Sequence, residues 1–130
     1  MNDDQYNREA TEPASLGEIL AAMNEAGAFA ASLLTSPEGL PIAAVPSDYD
    51  SDVAAAMVAL LQRVSSDARG QLGMAEVDEV TIRDRDTIRL VCRYFPVGEQ
   101  RLILTATVPP GRPYRRVTNR AIRQIQHMLS

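Results

Sequence analysis

The chain has 130 residues, of which 45% are hydrophobic and 23% are charged, and its formal net charge is −4. These values are typical of one soluble globular domain that buries a core of its own. No apolar run approaches the ~20 residues of a membrane span, and residues 1–13 lack the apolar segment of a secretory signal. The single cysteine, Cys92, excludes an internal disulfide framework and favours a reducing, cytoplasmic setting.

Basic charge is concentrated at the C-terminal end. All 13 basic residues are arginine; residues 1–99 carry 17 acids and 7 arginines, whereas residues 100–130 carry 6 arginines and no acid, so the balances of −10 and +6 add to −4. One interpretation is an arginine-faced C-terminal helix folded against an acidic body. The other is a docking face for an acidic partner or a nucleic acid.

The first predicted element is a helix that follows an acidic tail. Residues 1–14 are expected to form this tail and to be disordered. Ser15 is a suitable N-cap, and Glu18, three residues later, completes a capping box. Gly27 is placed to end the helix in a left-handed conformation. The apolar residues lie at helical spacing: Leu16, Ile19, Leu20 and Met23.

A β-hairpin is predicted over residues 28–45. Its first strand, residues 28–34, is an apolar run almost without polar alternation, which is typical of a strand covered on both faces in the middle of a sheet. The turn combines Pro37, which pre-sets φ, with Gly39, which can take a positive φ. The returning strand contains Pro41, which cannot donate to a ladder, so this strand is expected at a sheet edge.

The longest predicted helix spans about residues 50–72 and has two distinct sides. One side is an apolar stripe expected to face the core: Val53, Met57, Leu60, Leu61, Val64, Ala68 and Leu72. The opposite side carries small residues: Ala55, Ala56, Ala59, Ser66 and Gly70. Small side chains let a second backbone approach closely, so this side is predicted to be a helix–helix contact surface. The alternative is that alanine is simply a good helix former.

Three strands and a closing helix are predicted after the long helix. Residues 77–83 alternate, with Val80 and Ile82 on one face. The next strand shows one face made of Ile88, Leu90, Cys92 and Tyr94. Residues 102–104 form a second apolar run and hence a second central strand. The last helix, about residues 113–129, is expected to bury Val117, Ala121, Ile125 and Met128, or a stripe close to that, with Ile122 and Leu129 beside it.

These elements predict an α/β (α+β) domain with a single, mainly antiparallel five-stranded sheet. Because the two apolar strands belong in the centre and hairpin partners lie beside them, the predicted strand order is 2-1-5-4-3. The long helix is expected on one face and the N- and C-terminal helices on the other. Strand 3 is then an open edge beside the small-residue side of the long helix, which suggests that two copies pair across a two-fold axis. The predicted dimer or partner interface comprises Asp52, Ala55, Ala56, Ala59, Arg63, Ser66, Gly70, Asp78, Val80 and Ile82.

This order of elements, with the residues at its joints, resembles the Roadblock/dynein light chain family. The features that carry the resemblance are the first helix with Leu16 and Leu20, then Gly27, then the segment LLTSPEGLPIAAV, the Ala-Ala-Met of residues 55–57 and the amphipathic closing helix. The resemblance covers nearly the whole chain, so residues 15–130 are expected to be one Roadblock-like domain with a Roadblock/longin/profilin-like architecture.

The resemblance implies a dimeric adaptor or a regulator of a small GTPase. Family members pair through the long helix and the third strand and so form a continuous ten-stranded sheet. Some prokaryotic members resemble regulators that bind a Ras-like GTPase across the paired helices, and others serve as scaffold subunits of larger complexes. No catalytic residue carries over. Arg63, on the outer side of the long helix, is the candidate for a polar contact with a partner; the alternative is an ordinary solvated arginine.

The residues themselves indicate no enzyme activity and no cofactor. With one cysteine and one histidine, no CxxC or HExxH arrangement can form, and a structural zinc site is not expected. No GxSxG elbow is present, and a chain without lysine cannot complete a P-loop. His127 is explained by the dipole at a helix C-terminus, and Cys92 is predicted to be a buried core thiol. Asp84 and Asp86 flank a turn, where solvated charge is the ordinary state.

Two further hypotheses come from other functional classes. The first is nucleic-acid binding through the C-terminal arginines Arg112, Arg115, Arg116, Arg120 and Arg123. The acidic chain, with a pI near 4.9, and the lack of a stacking platform beyond Tyr114 argue against it. The second is a sensor domain with a small-ligand pocket, for which no convergent polar cluster is found. A membrane partner is not expected.

Overall fold

A computed structural model describes residues 15–48 and 51–130 of the chain. The predicted acidic tail, residues 1–14, lies outside the described residues. The helices are α1 (Leu16–Gly27), α2 (Ser51–Leu72) and α3 (Arg115–Leu129). The strands are β1 (Ala31–Thr35), β2 (Pro41–Val45), β3 (Glu79–Arg83), β4 (Arg89–Val97) and β5 (Gln100–Val108).

The five strands form one sheet in the order β2-β1-β5-β4-β3, and every neighbouring pair is antiparallel. This confirms the predicted topology and fold class. All five residues of β1 are buried, as expected for a strand covered on both faces. β2 lies at the opposite edge from β3 and is partly exposed, so the interpretation of Pro41 as an edge residue is confirmed as well.

The N-terminus of α1 follows the prediction, but its C-terminus does not. Ser15 accepts a 3.1 Å hydrogen bond from the Glu18 amide, as its capping role requires. The left-handed residue is Ala28 (φ 59, ψ 36), whereas Gly27 is the last residue inside the helix. A Cβ on Gly27 would lie 2.4 Å from the Phe29 ring. Gly27 is therefore needed for close packing and not for its backbone freedom, and β1 starts only at Ala31.

The core has two parts, one on each face of the sheet. The larger part joins α1 and α3 to the sheet and is centred on fully buried Leu20, Ile125, Val91 and Leu104. The smaller part lies under α2, where Val58 packs against Cys92, Tyr94 and Ile103. The long helix therefore covers one face and the two terminal helices cover the other, as the sequence predicts.

The buried side of α3 is close to the predicted stripe. Ala121 and Ile125 are buried as expected, whereas Val117 and Met128 are only half-buried. Thr118, one position after Val117, is buried, and so is Ile122, which was predicted to lie beside the stripe. Within the described ranges, no helix combines the length and apolarity that crossing a bilayer requires.

Candidate protein-interaction surface

The face of α2 that packs on the sheet is made largely of small residues, contrary to the predicted arrangement. Ala55, Val58 and Ser65 are buried there, and Leu61 is half-buried. The Ser65 hydroxyl donates a 3.0 Å hydrogen bond to the Leu61 carbonyl and lies 3.3 Å from the Tyr94 hydroxyl. Since α2 contacts its own sheet through these residues, the apolar stripe must lie elsewhere.

The stripe predicted to enter the core is exposed. Met57, Leu60 and Val64 are 45%, 59% and 55% exposed, and Leu72 at the end of the helix is also exposed. The prediction was wrong for these four residues; Leu61 and Ala68 are half-buried, and the side chain of Val53 lies outside the described residues. Helical periodicity defines an apolar stripe, but it does not say whether the chain's own sheet or another molecule covers it.

The hairpin turn explains why small residues are required on the sheet side. Gly39 has φ +87, and a Cβ built on it would lie 2.7 Å from the Ala55 carbonyl oxygen and 3.0 Å from the Ala59 Cβ. The close approach predicted for a small-residue surface thus takes place within the chain. Ala55, predicted as an interface residue, is buried, and Ala59 is half-buried.

The other predicted interface residues of α2 lie on its outer, solvent-facing side. Asp52, Ala56, Arg63, Ser66 and Gly70 are all exposed, and no backbone or side chain approaches within 4 Å of a Cβ built on Gly70. In the part of the chain that the structure describes, this outer side touches neither the sheet nor the hairpin. It is a surface open to a partner.

The exposed stripe points toward the β3 end of the sheet. Ala59 contacts the hairpin turn on one flank of α2, and the hairpin belongs to the β2 edge. At 3.6 residues per turn, the stripe of Met57, Leu60 and Val64 lies roughly 130° around the helix from Ala59. It therefore occupies the flank away from β2 and toward β3.

Strand β3 has one open edge. The Tyr94 amide donates to the Asp78 carbonyl at 3.0 Å, and the Asp84 amide donates to the Ile88 carbonyl at 3.2 Å. In an antiparallel ladder hydrogen-bonded pairs alternate, so the even-numbered residues of this stretch bond β4. The amides and carbonyls of Glu79, Thr81 and Arg83 therefore point outward.

Exposed apolar side chains gather near this edge. Of ten large hydrophobic side chains that are exposed within the described residues, seven belong to residues 57–88, which contain α2 and β3. Ile82 is 45% exposed, and Val80 is half-buried beside the α2 core. Asp78, the remaining predicted residue, is exposed and lies 3.7 Å from Arg115. Val80 and Ile82 thus lie on the same face of the sheet as α2 and its exposed apolar stripe.

A polar cluster fixes α3 against β3 and β4. Arg93, only 5% exposed, donates to Thr118 Oγ1 at 2.7 Å and to Asn119 Oδ1 at 2.8 Å. Its Nε lies 3.7 Å from a carboxylate oxygen of Glu79. Alternation along β4 puts Arg93 on the other face of the sheet from Cys92, but it gives no sign that the guanidinium is buried under α3.

Glu79 is the acceptor at the centre of this cluster. The Tyr114 hydroxyl donates to it at 2.6 Å, Thr81 at 2.7 Å and Arg115 at 2.8 Å. Partial burial opposes ionisation, but the hydrogen bonds from Tyr114 and Thr81 and the charges of Arg115 and Arg93 outweigh it, so the pKa of Glu79 lies below its ordinary value. The same hydrogen bond raises the pKa of Tyr114, since ionised Tyr114 could no longer donate.

The C-terminal arginines of the nucleic-acid hypothesis do not act as one group. Arg115 pairs with Glu79, and the Arg112 carbonyl accepts a hydrogen bond from Arg89. Tyr114, the only aromatic neighbour, is held by Glu79 and lies under Arg89, whose guanidinium carbon is 5.2 Å from the ring centre. The remaining exposed arginines of α3 form no ion pair with any described residue: Arg116, Arg120 and Arg123.

A shallow groove lies between the β3–β4 turn and the loop after β5. Its walls include Arg83, Arg85 and Arg89. Asp84 closes the turn by accepting the amides of Asp86 at 2.9 Å and Thr87 at 2.6 Å. A side-chain hydrogen bond from Thr87 and these amide bonds lower the pKa of Asp84 to about 2. The Asp84 carboxylate is occupied by hydrogen bonds within its own turn, so it is not available to bind a small ligand in the groove.

The groups with potential chemistry remain apart. Cys92 is fully buried, and burial raises the pKa of its thiol, which confirms the prediction of a core cysteine. His127 lies in the last turn of α3. Among residues 15–48 and 51–130, no three histidine, cysteine, aspartate or glutamate side chains converge as a metal site would require.

The fold is shared with a set of solved structures. MglB of Myxococcus xanthus superposes with a TM-score of 0.69 at 12% identity, covering 90% of this chain and 96% of that one. An MglB structure with a tetrameric arrangement gives 0.72 at 18% identity, covering 99% and 93%. A Roadblock/LC7 domain from Streptomyces avermitilis gives 0.65 at 15% identity, covering 88% and 95%. No family model and no curated protein sequence matches the chain.

These similarities define the class of fold. The strand order, the antiparallel sheet and the helix on each side are those of the Roadblock/LC7 structures. The chain therefore has a Roadblock/LC7-like fold. At 12–18% identity the likeness concerns the fold, and the function has to be argued from the surface of this chain.

Proposed function

We propose that this protein is a non-catalytic homodimer that acts as an adaptor or regulator of a Ras-like small GTPase, or as a scaffold subunit of a larger complex. The observation that carries the proposal is that Met57, Leu60 and Val64 form an exposed apolar stripe on α2, in a domain whose strand β3 has an open edge. One of the similar MglB structures is described as tetrameric, which supports self-association as a property compatible with this fold.

The apolar stripe favours a second copy of the chain as the first partner. Side chains of this size stabilise an interface by about 1.5–3 kcal/mol each when fully buried. A monomer rarely leaves several of them side by side in water. A two-fold axis next to β3 would bring two such stripes together and would join two open strand edges at the same time. One symmetric contact would then bury the apolar side chains and pair the free backbone groups of both edges.

The outer side of α2 is the proposed site for a further partner. Asp52, Ala56, Arg63, Ser66 and Gly70 point away from the sheet, so pairing through the stripe and β3 leaves them exposed. The resemblance to GTPase regulators implies binding across paired helices, and we propose that these residues contribute to that surface. Arg63 is the residue proposed to contact the acidic or polar surface of the partner.

The dimer is tested by measuring mass in solution. At tens of micromolar, light scattering is expected to give twice the chain mass. Leu60→Glu places a charge on the stripe and should yield a monomer, whereas Ser66→Glu on the outer side should leave the dimer intact. A wild-type protein that is monomeric at this concentration, or a Leu60→Glu variant that remains dimeric, would overturn the proposed interface.

The GTPase partner is tested separately. The probe is a Ras-like small GTPase from the same genome, loaded with GDP or with a non-hydrolysable GTP analogue. We expect binding that depends on the bound nucleotide and that Arg63→Glu weakens without changing the dimer mass. Equal binding by wild-type protein and Arg63→Glu would remove Arg63 from the contact. Absence of binding in both nucleotide states would argue for the scaffold role.

A further inference from the structure

We infer that the groove between the β3–β4 turn and the loop after β5 is a binding site for the phosphate group of a phosphorylated ligand. The groove has a volume of about 480 Å³, and three arginines line it: Arg83, Arg85 and Arg89. Arg89 lies on the same side of β4 as Arg93, which donates to Thr118 of α3, so this is the α3 face of the sheet. A ligand there would leave the outer side of α2 free, and the site does not depend on the proposed dimer or GTPase contact.

Two of the arginines, Arg83 and Arg89, lie directly opposite each other in the β3–β4 ladder. They form a non-hydrogen-bonded pair, since the even-numbered residues of β3 bond β4. In such a pair the Cα atoms are about 4.5 Å apart, and both side chains leave the same face of the sheet. Like charges in this arrangement destabilise a sheet. An anion held between the two guanidinium groups would replace this repulsion by two attractive contacts.

No ion pair within the described part of the chain neutralises the arginines of the groove. The ion pairs found there are made by Arg93 and Arg115. Of the residues that line the groove, only Asp84 is acidic, and its carboxylate accepts the amides of Asp86 and Thr87 in its own turn. Asp86 is exposed in the same turn but does not line the groove. The three guanidinium groups are thus left to interact with an anion from outside the chain.

The charge of the lining residues matches that of a phosphate monoester. Three guanidinium groups and one carboxylate leave a net charge of +2 on the walls of the groove. A phosphate monoester carries a charge of about −1.5 to −2 at neutral pH, whereas a carboxylate carries a single negative charge. Guanidinium groups also bind phosphate oxygens through pairs of parallel hydrogen bonds, which adds geometric selectivity to the attraction. A phosphate is therefore the ligand group best suited to this groove.

Arg89 is held in place by the protein itself. Its Nη2 donates to the Pro109 carbonyl at 3.1 Å and to the Arg112 carbonyl, and its guanidinium carbon lies 5.2 Å from the centre of the Tyr114 ring. These hydrogen bonds use Nη2 alone, so neither Nε nor Nη1 of Arg89 has an acceptor among the described residues. A guanidinium that is already fixed and still has unused donors binds an oxyanion with little further loss of side-chain entropy.

Titration with methyl phosphate, the simplest phosphate monoester, tests the site. In low-salt buffer at neutral pH, the backbone amide resonances of the folded protein report where the ligand binds. We expect saturable shifts in the β3–β4 turn and in residues 109–112. Because the contacts are open to solvent, the dissociation constant should be on the order of 1 mM. Shifts that centre on the exposed arginines of α3, or no shift well above this concentration, would overturn the site.

A pair of matched substitutions separates the groove from the general charge of the protein. Arg85→Gln removes one guanidinium from the groove but leaves the contacts of Arg89 in place, so the dissociation constant for methyl phosphate should rise about fivefold. Arg120→Gln removes the same charge from an exposed arginine of α3 that forms no ion pair with any described residue. In this control the constant should stay within about twofold of wild type. Equal weakening by both substitutions would overturn the site.

Two further ligands test the preference for phosphate and identify its source. Succinate carries its two charges on separate carboxylates and should bind several-fold more weakly than methyl phosphate. Equal affinity for the two would overturn the assignment of phosphate. A short peptide that contains one phosphoserine is compared in the same titration. Tighter binding of the peptide in the groove would support a phosphorylated protein as the source, whereas equal or weaker binding would support a small phosphorylated molecule.

Discussion

Arg93 of β4 donates a 2.7 Å hydrogen bond to Thr118 Oγ1 of α3, and both side chains are buried beneath that helix. The same guanidinium donates to Asn119 and lies 3.7 Å from Glu79. One arginine therefore connects three elements that are distant in sequence, and its charge is balanced by a carboxylate on the strand that forms the open edge.

Replacing Arg93 should destabilise the fold strongly. In Arg93→Met the apolar stem is retained, but Asn119 and part of Glu79 lose a buried partner, so we expect a loss of about 2–4 kcal/mol in the free energy of unfolding. Arg115→Met, at an exposed ion pair with the same Glu79, should cost less than about 1 kcal/mol. Urea unfolding compares the two, and similar losses would show that burial of Arg93 contributes no additional stability.

Substitution of Gly39 should reveal the close contact between the hairpin and α2. Gly39→Ala suffers both from a positive φ of +87 and from a contact of 2.7 Å with the Ala55 carbonyl oxygen. Gly111→Ala has a similar φ of +76 but open space around it, so it serves as the matched control. We expect a loss of about 1 kcal/mol for Gly111→Ala and about 1–3 kcal/mol more for Gly39→Ala. If Gly39→Ala and Gly111→Ala unfold at the same urea concentration, the packing contact between the hairpin and α2 would be contradicted.

Glu79 should make stability depend on pH on the acid side. Its pKa in the folded chain lies below the ordinary value of 4.5, so the ionised form stabilises the fold above that pH, and this contribution is lost as the pH falls through the folded pKa. Unfolding free energies of wild type and Glu79→Gln should therefore differ most near neutral pH, and the difference should shrink as the pH falls below 4.5 and through the folded pKa. A difference that stays constant or grows on acidification would exclude the charge of Glu79 as its source.

The thiol of Cys92 should not react with thiol reagents in the native protein. Cys92 is fully buried, and burial raises its pKa, so little thiolate forms and no reagent reaches it. With a disulfide-exchange reagent at pH 8, native protein should react more than about a hundredfold more slowly than protein in urea. An engineered Thr81→Cys should react immediately in the monomer, which provides the positive control. Rapid native reaction of Cys92 would show that the α2 side of the core opens readily.

The sequence by itself determined the order of the strands and the approximate position of each element in the chain. Alternation, the two apolar runs and the residues of the hairpin turn act over a few positions, so they can be interpreted without knowing what packs where. The cap at Ser15, the edge position of Pro41 and the burial of Cys92 were predicted for this reason.

Only the tertiary structure decided which side of α2 faces inward. α2 carries one stripe of large apolar residues and one of small residues, and either could face the sheet. Hydrophobicity alone favours burial of the first, which contains Met57, Leu60 and Val64. Gly39 favours the other choice, because the hairpin backbone comes so close to the helix backbone at Ala55 that a side chain as small as that of Ala59 is needed beside it. The larger apolar side chains are left exposed beside β3. The burial of Arg93 is decided in the same way, since it depends on Thr118, Asn119 and Glu79, residues that no local pattern connects.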